Sequence, residues 1–201
     1  DGAAARAAAM QGWATQAEAF AEAMAATCAT GAVKITLGDE ELKITGWDRG
    51  GSIFTAKTTA RRPKTREVQQ GGLFIEQWRS LAAQVTDAPA GSRACFLAFL
   101  ALDMHARAAA AYLSKLDKVS DDTGTGEDSY PFGSNVFDAI MATMPATPQP
   151  WSDLLRRELI AGKRLASGLR ALSERRNLAA AGHIEKLINE HPHSMVTVLL
   201  P

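Results

Sequence analysis

Thiol chemistry is almost missing from this sequence: among 201 residues only Cys28 and Cys95 carry sulfhydryls. They form no C-x-x-C pair and cannot build a disulfide framework, so stapling plays no part in the expected fold. Cys95 stands in the apolar stretch Cys95-Phe96-Leu97-Ala98-Phe99-Leu100, where a buried thiol serves as a small hydrophobe. An excess of one charge sign is missing too, since 22 Lys and Arg meet 22 Asp and Glu. The cancelled long-range field argues against a DNA-packaging or anionic-membrane protein, though not against a local patch. No uninterrupted apolar run of about 18 residues occurs, so no bilayer-spanning helix is predicted. The chain opens Asp1-Gly2-Ala3 without a methionine and closes at Pro201 after an apolar run. It reads as a piece of a longer protein whose true N-terminus lies elsewhere, which leaves the compartment open.

Catalytic signatures are equally scarce. Gly124-Thr125-Gly126 has no following lysine and opens no helix, which excludes a phosphate-cradling loop or dinucleotide fingerprint. No serine or cysteine sits on a Gly-x-Ser-x-Gly elbow. Asp121, Asp122, Glu127 and Asp128 have the composition of a calcium loop but not its alternate spacing, and read as a solvated loop. Of the histidines His105, His183, His191 and His193, the last three gather with Glu190 near a helix end and Pro192. A metal cluster there needs ligands from a helix, its terminus and a turn, and histidine at a helix C-terminus already has a dipole to serve. No metal and no cofactor is expected.

What is present is periodicity. With 46% apolar residues the chain can bury a core without help from metal or disulfide. Residues 3–29 are rich in alanine, and Met10, Trp13, Ala17, Phe20 and Met24 form one stripe at helical spacing. Gly31 supplies the stop. The period then changes to two: Val33, Ile35 and Leu37 alternate with polar residues, as do Leu42 and Ile44 beyond the Gly38-Asp39 turn. Asp48-Arg49-Gly50-Gly51 marks a second turn before a strand over 52–58, and a fourth strand is expected at 65–70. Such a meander requires a helix across its apolar face.

Helical spacing returns after Gly72. The spacing predicts helices over 75–85, over 93–119 as a pair with a turn near Asp103-Met104-His105, and over 136–144. Ser92 is the expected N-cap of the pair. A loop is expected at 120–133, and Pro145, Pro148 and Pro150 lead into a long helix bearing Leu154, Leu155, Leu159, Leu165, Leu169 and Leu172. Residues 177–190 make its partner, and 195–200 read as a last strand at the sheet edge. Phe96, Leu97, Phe99, Leu100 and Leu102 are the expected core of the 93–119 segment, and Trp13, Trp78 and Trp151 pack inside. The expected architecture is α+β and predominantly helical: an N-terminal helix on a small antiparallel meander, then a multi-helix segment. It is read as one domain over 1–201, with sub-regions 1–31, 32–72 and 73–201.

Gly168, Ala180, Ile184 and Pro192 fall where tetratricopeptide repeats place a small residue, an alanine, a bulky apolar residue and a proline. Ala108 and Tyr112 repeat the Ala-x-x-x-aromatic step, with Phe96 in place of the small residue. The C-terminal half thus resembles tetratricopeptide-like helical hairpins. That resemblance implies a surface for a protein or peptide partner rather than catalysis.

One charge cluster stands out. Lys57, Arg61, Arg62, Lys64 and Arg66 lie within ten residues around Pro63, at the end of the third strand. They read either as an anion site for RNA, DNA or an acidic partner, with Trp47 and Phe54 the only nearby aromatics, or as a sheet edge protected by charge. The zero net charge favours the second. The expected function is a non-catalytic interaction or accessory module that binds a protein or peptide in a helical groove. The alternative is anion or nucleic-acid binding through the basic hairpin; the oligomeric state is not legible.

Overall fold

The computed structural model describes residues 2–116, 130 and 132–197. The acidic positions 121, 122, 127 and 128 lie outside the described residues, as does most of the loop expected around them. The fold is α+β and predominantly helical, in the expected order. Helix α1 (Gly2–Thr30) is followed by strands β1 (Lys34–Leu37), β2 (Glu40–Asp48), β3 (Ile53–Thr58) and β4 (Thr65–Gln69). Then come α2 (Ile75–Ala83), α3 (Ser92–Leu116), α4 (Asn135–Met141), α5 (Ser152–Ser173) and α6 (Asn177–Glu190). The chain divides into two compact units, one over Ala14–Leu97 and the other from Asp1–Trp13 with Ala98–Pro201.

The Ala14–Leu97 unit holds the sheet, an antiparallel meander in the order β1-β2-β3-β4. Alternation sends Ile35, Leu42, Ile44, Phe54, Ala56 and Val68 to one face, and all are buried. The α1 stripe of Ala17, Phe20, Met24 and Cys28 is buried with them, and Glu18 pairs with Arg49 at the β2–β3 turn at 2.5 Å. Each large side chain buried this way contributes about 1.5–3 kcal/mol, far more than the propensity of an alanine-rich segment adds per residue. Gly31 ends α1 with φ +69°, and its N–H donates to the Cys28 carbonyl, a conformation that costs glycine little. Phe54 lies in this core, and Trp47 is half-buried against it. Their rings stack at 5.3 Å and meet Trp78 and Phe96.

The other unit is helical. Trp13 lies 4.3 Å from the ring of Phe99. Helices α5 and α6 form an antiparallel hairpin, with Gly168 against Ile184 and Arg164 paired to Glu190 at 2.7 Å. Helix α4 approaches α5 at Gly162, where a Cβ would stand 2.7 Å from Phe137 Cε1 and 3.0 Å from Leu102 Cδ2.

Four local expectations are corrected. Residues 92–116 form one continuous helix without a turn at 103–105, because no glycine or proline interrupts them and alanine dominates their second half. Ser92 is the first helical residue, and its buried hydroxyl donates to the Pro89 carbonyl at 2.6 Å instead of capping. Residues 195–197 make a turn and a short 3-10 segment, not a strand, since Met195 N–H is taken by a side chain; residues 198–201 lie outside the described ones. Phe99 is 38% exposed and Leu100 half-buried, because the buried side of α3 runs through Ala98, Ala101, Leu102, His105 and Ala109. In addition, α3 over Ser92–Lys115 is long and apolar enough, by length and composition, to cross a membrane, with half its most apolar stretch buried in the fold. Asp103, His105 and Arg107 break the run without lowering its average much.

Candidate functional site

Phe99, Leu102, Asp103 and Ala106 lie at i, i+3, i+4 and i+7 on α3, so they share one face. Met195 and Val196 stand across from them and close a mostly apolar groove of about 210 Å³. Asp103 forms the polar rim and pairs with Arg107 one turn on. The volume is below the roughly 300 Å³ at which small-molecule pockets begin, and suits one or two inserted side chains.

The far wall of the groove is held by a buried carboxylate. Glu158 of α5, whose side chain is 2% exposed, accepts hydrogen bonds from Ser194 Oγ at 2.6 Å and Met195 N–H at 2.9 Å. Arg6 of α1 donates to the other Glu158 oxygen at 2.9 Å and to the His193 carbonyl at 2.6 Å. A charge this deep persists when paired and hydrogen-bonded, and here both conditions are met. This clamp was not anticipated. Its signal was present, since Glu158 falls on the apolar face of α5 beside Leu154, Leu155 and Leu159.

A second buried polar group sits nearby in the chain. His105 is fully buried among Tyr130, Phe132 and Phe137, with Nδ1 2.6 Å from Tyr130 Oη. The contacts close if Nδ1–H donates to Oη and the phenol donates to the His105 carbonyl at 3.3 Å. Nε2 then remains a lone pair, which has no hydrogen-bond partner among the described residues. Burial pushes this imidazole down to about 4, so it is neutral at physiological pH. Burial also pushes the Cys28 thiol up to about 11 and Cys95 to about 12. Both are enclosed, protonated and poor nucleophiles.

The sequence-derived metal candidates do not converge. Glu190 is engaged by Arg164, and among the described residues no group of three His, Cys, Asp or Glu side chains could hold an ion. Of the basic cluster, Lys57 lies on β3 and Arg66 on β4, while Arg61, Arg62 and Lys64 occupy the turn between them; all five are exposed. Arg66 is ion-paired with Glu40 at 2.7 Å, and the other four have no ion pair among the described residues. Thr58 N–H to the Lys64 carbonyl and Lys64 N–H to Thr58 Oγ1, each at 3.0 Å, fix the turn.

Compared with protein-family models, curated proteins and solved structures, the chain has no match.

Proposed function

We propose that the chain is a non-catalytic interaction module whose α3 groove receives an apolar anchor side chain of a partner polypeptide. The observation that carries this reading is the groove itself: a helical i, i+3, i+4, i+7 stripe facing a segment that a buried ion pair holds in place. A wall fixed before binding lowers the ordering cost of association, so a small groove can still contribute measurable affinity. Two features support the same direction. Both thiols and His105 are enclosed, with Cys28 and Cys95 pushed up and His105 pushed down by burial. The α5–α6 hairpin, with Gly168 and Ile184 in contact, adds the resemblance to tetratricopeptide-like hairpins, which serve protein partners.

Selection of displayed peptides on the full chain tests the reading. Recovered sequences are expected to share one large apolar residue, and Ala106→Glu, which places a carboxylate at the groove, is expected to weaken them at least tenfold, about 1.4 kcal/mol. Thermal stability should be unchanged, since Ala106 is half-buried on a helix face. Failure to recover such peptides, or equal binding by Ala106→Glu, refutes it.

A further inference from the structure

The strand register assembles a charge array that sequence distance conceals. Lys34 lies directly opposite Lys43, Lys43 directly opposite Lys57, and Thr65 completes the row on β4. The row falls on the face away from the buried side chains, and all three lysines are exposed. With strands about 4.8 Å apart, three ammonium stems share roughly 10 Å of sheet. Like charges placed directly opposite destabilise a sheet. Edge protection does not account for them, because Lys43 and Lys57 belong to the two central strands.

The row continues into the β3–β4 hairpin, whose fixed turn presents Arg61, Arg62 and Lys64. The carboxylates of the region are partly spent: Glu41 takes Lys34 at 2.9 Å and Glu40 takes Arg66, while Asp39 and Glu67 remain. Lys43, Lys57, Arg61, Arg62 and Lys64 have no ion pair among the described residues and outnumber the two remaining carboxylates.

We infer that this face and hairpin bind the phosphate backbone of double-stranded DNA without reading its sequence. Two observations choose the duplex. Of the nearby aromatics, Phe54 is buried and Trp47 is half-buried, with its ring packed on Phe54, Trp78 and Phe96 and Arg49 over it, so the lysine face offers no platform on which single-stranded bases can stack. The cations also stand on a fixed sheet face and a fixed turn, a rigid array that suits the regular phosphate spacing of a duplex, which lysines meet as point charges. The zero net charge of the chain limits affinity to the contact itself and adds no distant steering.

Fluorescence anisotropy of a labelled 20-base-pair duplex with the full chain, repeated across salt concentrations, tests this. Each phosphate contact contributes about 0.9 to the logarithmic salt slope, so five contacts give a slope of about −4.5. Affinity should then fall several-hundred-fold between about 50 and 200 mM salt. Lys43→Gln with Lys57→Gln is expected to reduce the slope by about 2, and Arg61→Gln with Arg62→Gln and Lys64→Gln by about 3. The lysine pair should also raise the urea midpoint, because the repulsion in the row is relieved; that reports folding independently of binding. Arg156→Gln with Arg157→Gln, exposed cations on α5, should leave the slope unchanged. The inference is overturned by a slope shallower than about −1, by an unchanged slope in the lysine pair, by tighter binding to single strands than to the duplex, or by binding to phosphatidylserine vesicles in place of DNA.

Discussion

Removal of the Glu158 carboxylate is the sharpest perturbation the fold offers. Three donors converge on it: Arg6 Nη2, Ser194 Oγ and the Met195 N–H. Hydrogen bonds to a charged group are worth about 1.5–3 kcal/mol each, but donors sharing one acceptor do not add. Breaking a buried pair by deleting one partner costs about 3–5 kcal/mol, chiefly through the charge left behind. Here the group left behind is Arg6, whose side chain is 36% exposed and can turn to water, so the lower end applies. Glu158→Ala is therefore expected to cost about 3 kcal/mol. Arg6→Ala leaves the buried carboxylate without its cation and should likewise cost about 3 kcal/mol, whereas Ser194→Ala, the loss of one hydrogen bond to a charged group, should cost about 1.5 kcal/mol. With a urea slope of about 2 kcal/mol/M, the Glu158→Ala midpoint should drop by about 1.5 M. Because the chain divides into two units, the transition should be followed together with hydrogen exchange at the Met195 amide, which loses its acceptor directly. A midpoint shift under about 0.3 M with unchanged exchange at Met195 would show that the carboxylate holds nothing in place.

Three further outcomes follow from the packing. The unfolded His105 imidazole titrates near 6.5 and the folded one near 4, so the unfolded chain takes up the proton first. Stability is then unaffected above pH 7 and falls as pH drops from about 6.5 toward 4, by up to about 3 kcal/mol at 1.36 kcal/mol per unit. Urea midpoints of wild type and His105→Phe should diverge across that window, and parallel curves would contradict the burial of a neutral imidazole. Gly162→Ala should destabilise by about 1–2 kcal/mol, since a methyl 2.7 Å from the buried Phe137 ring outweighs the helix-propensity gain of about 1 kcal/mol. Gly168→Ala should be near neutral, because its neighbour is the flexible end of Ile184; equal thermal shifts for the two would refute the contrast. Ellman's reagent at pH 8 should leave Cys28 and Cys95 unmodified in the native protein and label both in urea, so rapid native labelling would place a thiol at the surface.

The secondary structure was largely legible because its signals are local. Alanine content and the Met10-to-Met24 stripe specified α1, period-two alternation specified β1 and β2, the Asp48-Arg49-Gly50-Gly51 turn placed β3, and the leucine stripe specified α5. The misread turn in α3 shows the limit of that reading. Asp103 and His105 resemble a break only if the polar group is assumed to face water, and the structure buries His105 against Tyr130, twenty-five residues away. The basic hairpin was visible as a cluster, whereas its continuation through Lys43 to Lys34 was not, since pairing register joins residues that the chain separates. The same holds for the groove. Spacing along α3 established which residues share a face, but only the tertiary fold set Met195 and Val196 opposite them and placed Arg6 and Ser194 on Glu158. Periodicity is a property of a few neighbouring residues, while a site is made by long-range closure. The pairing of positions 6, 158 and 194 is decided by which packing satisfies a buried charge, and no local pattern encodes that choice.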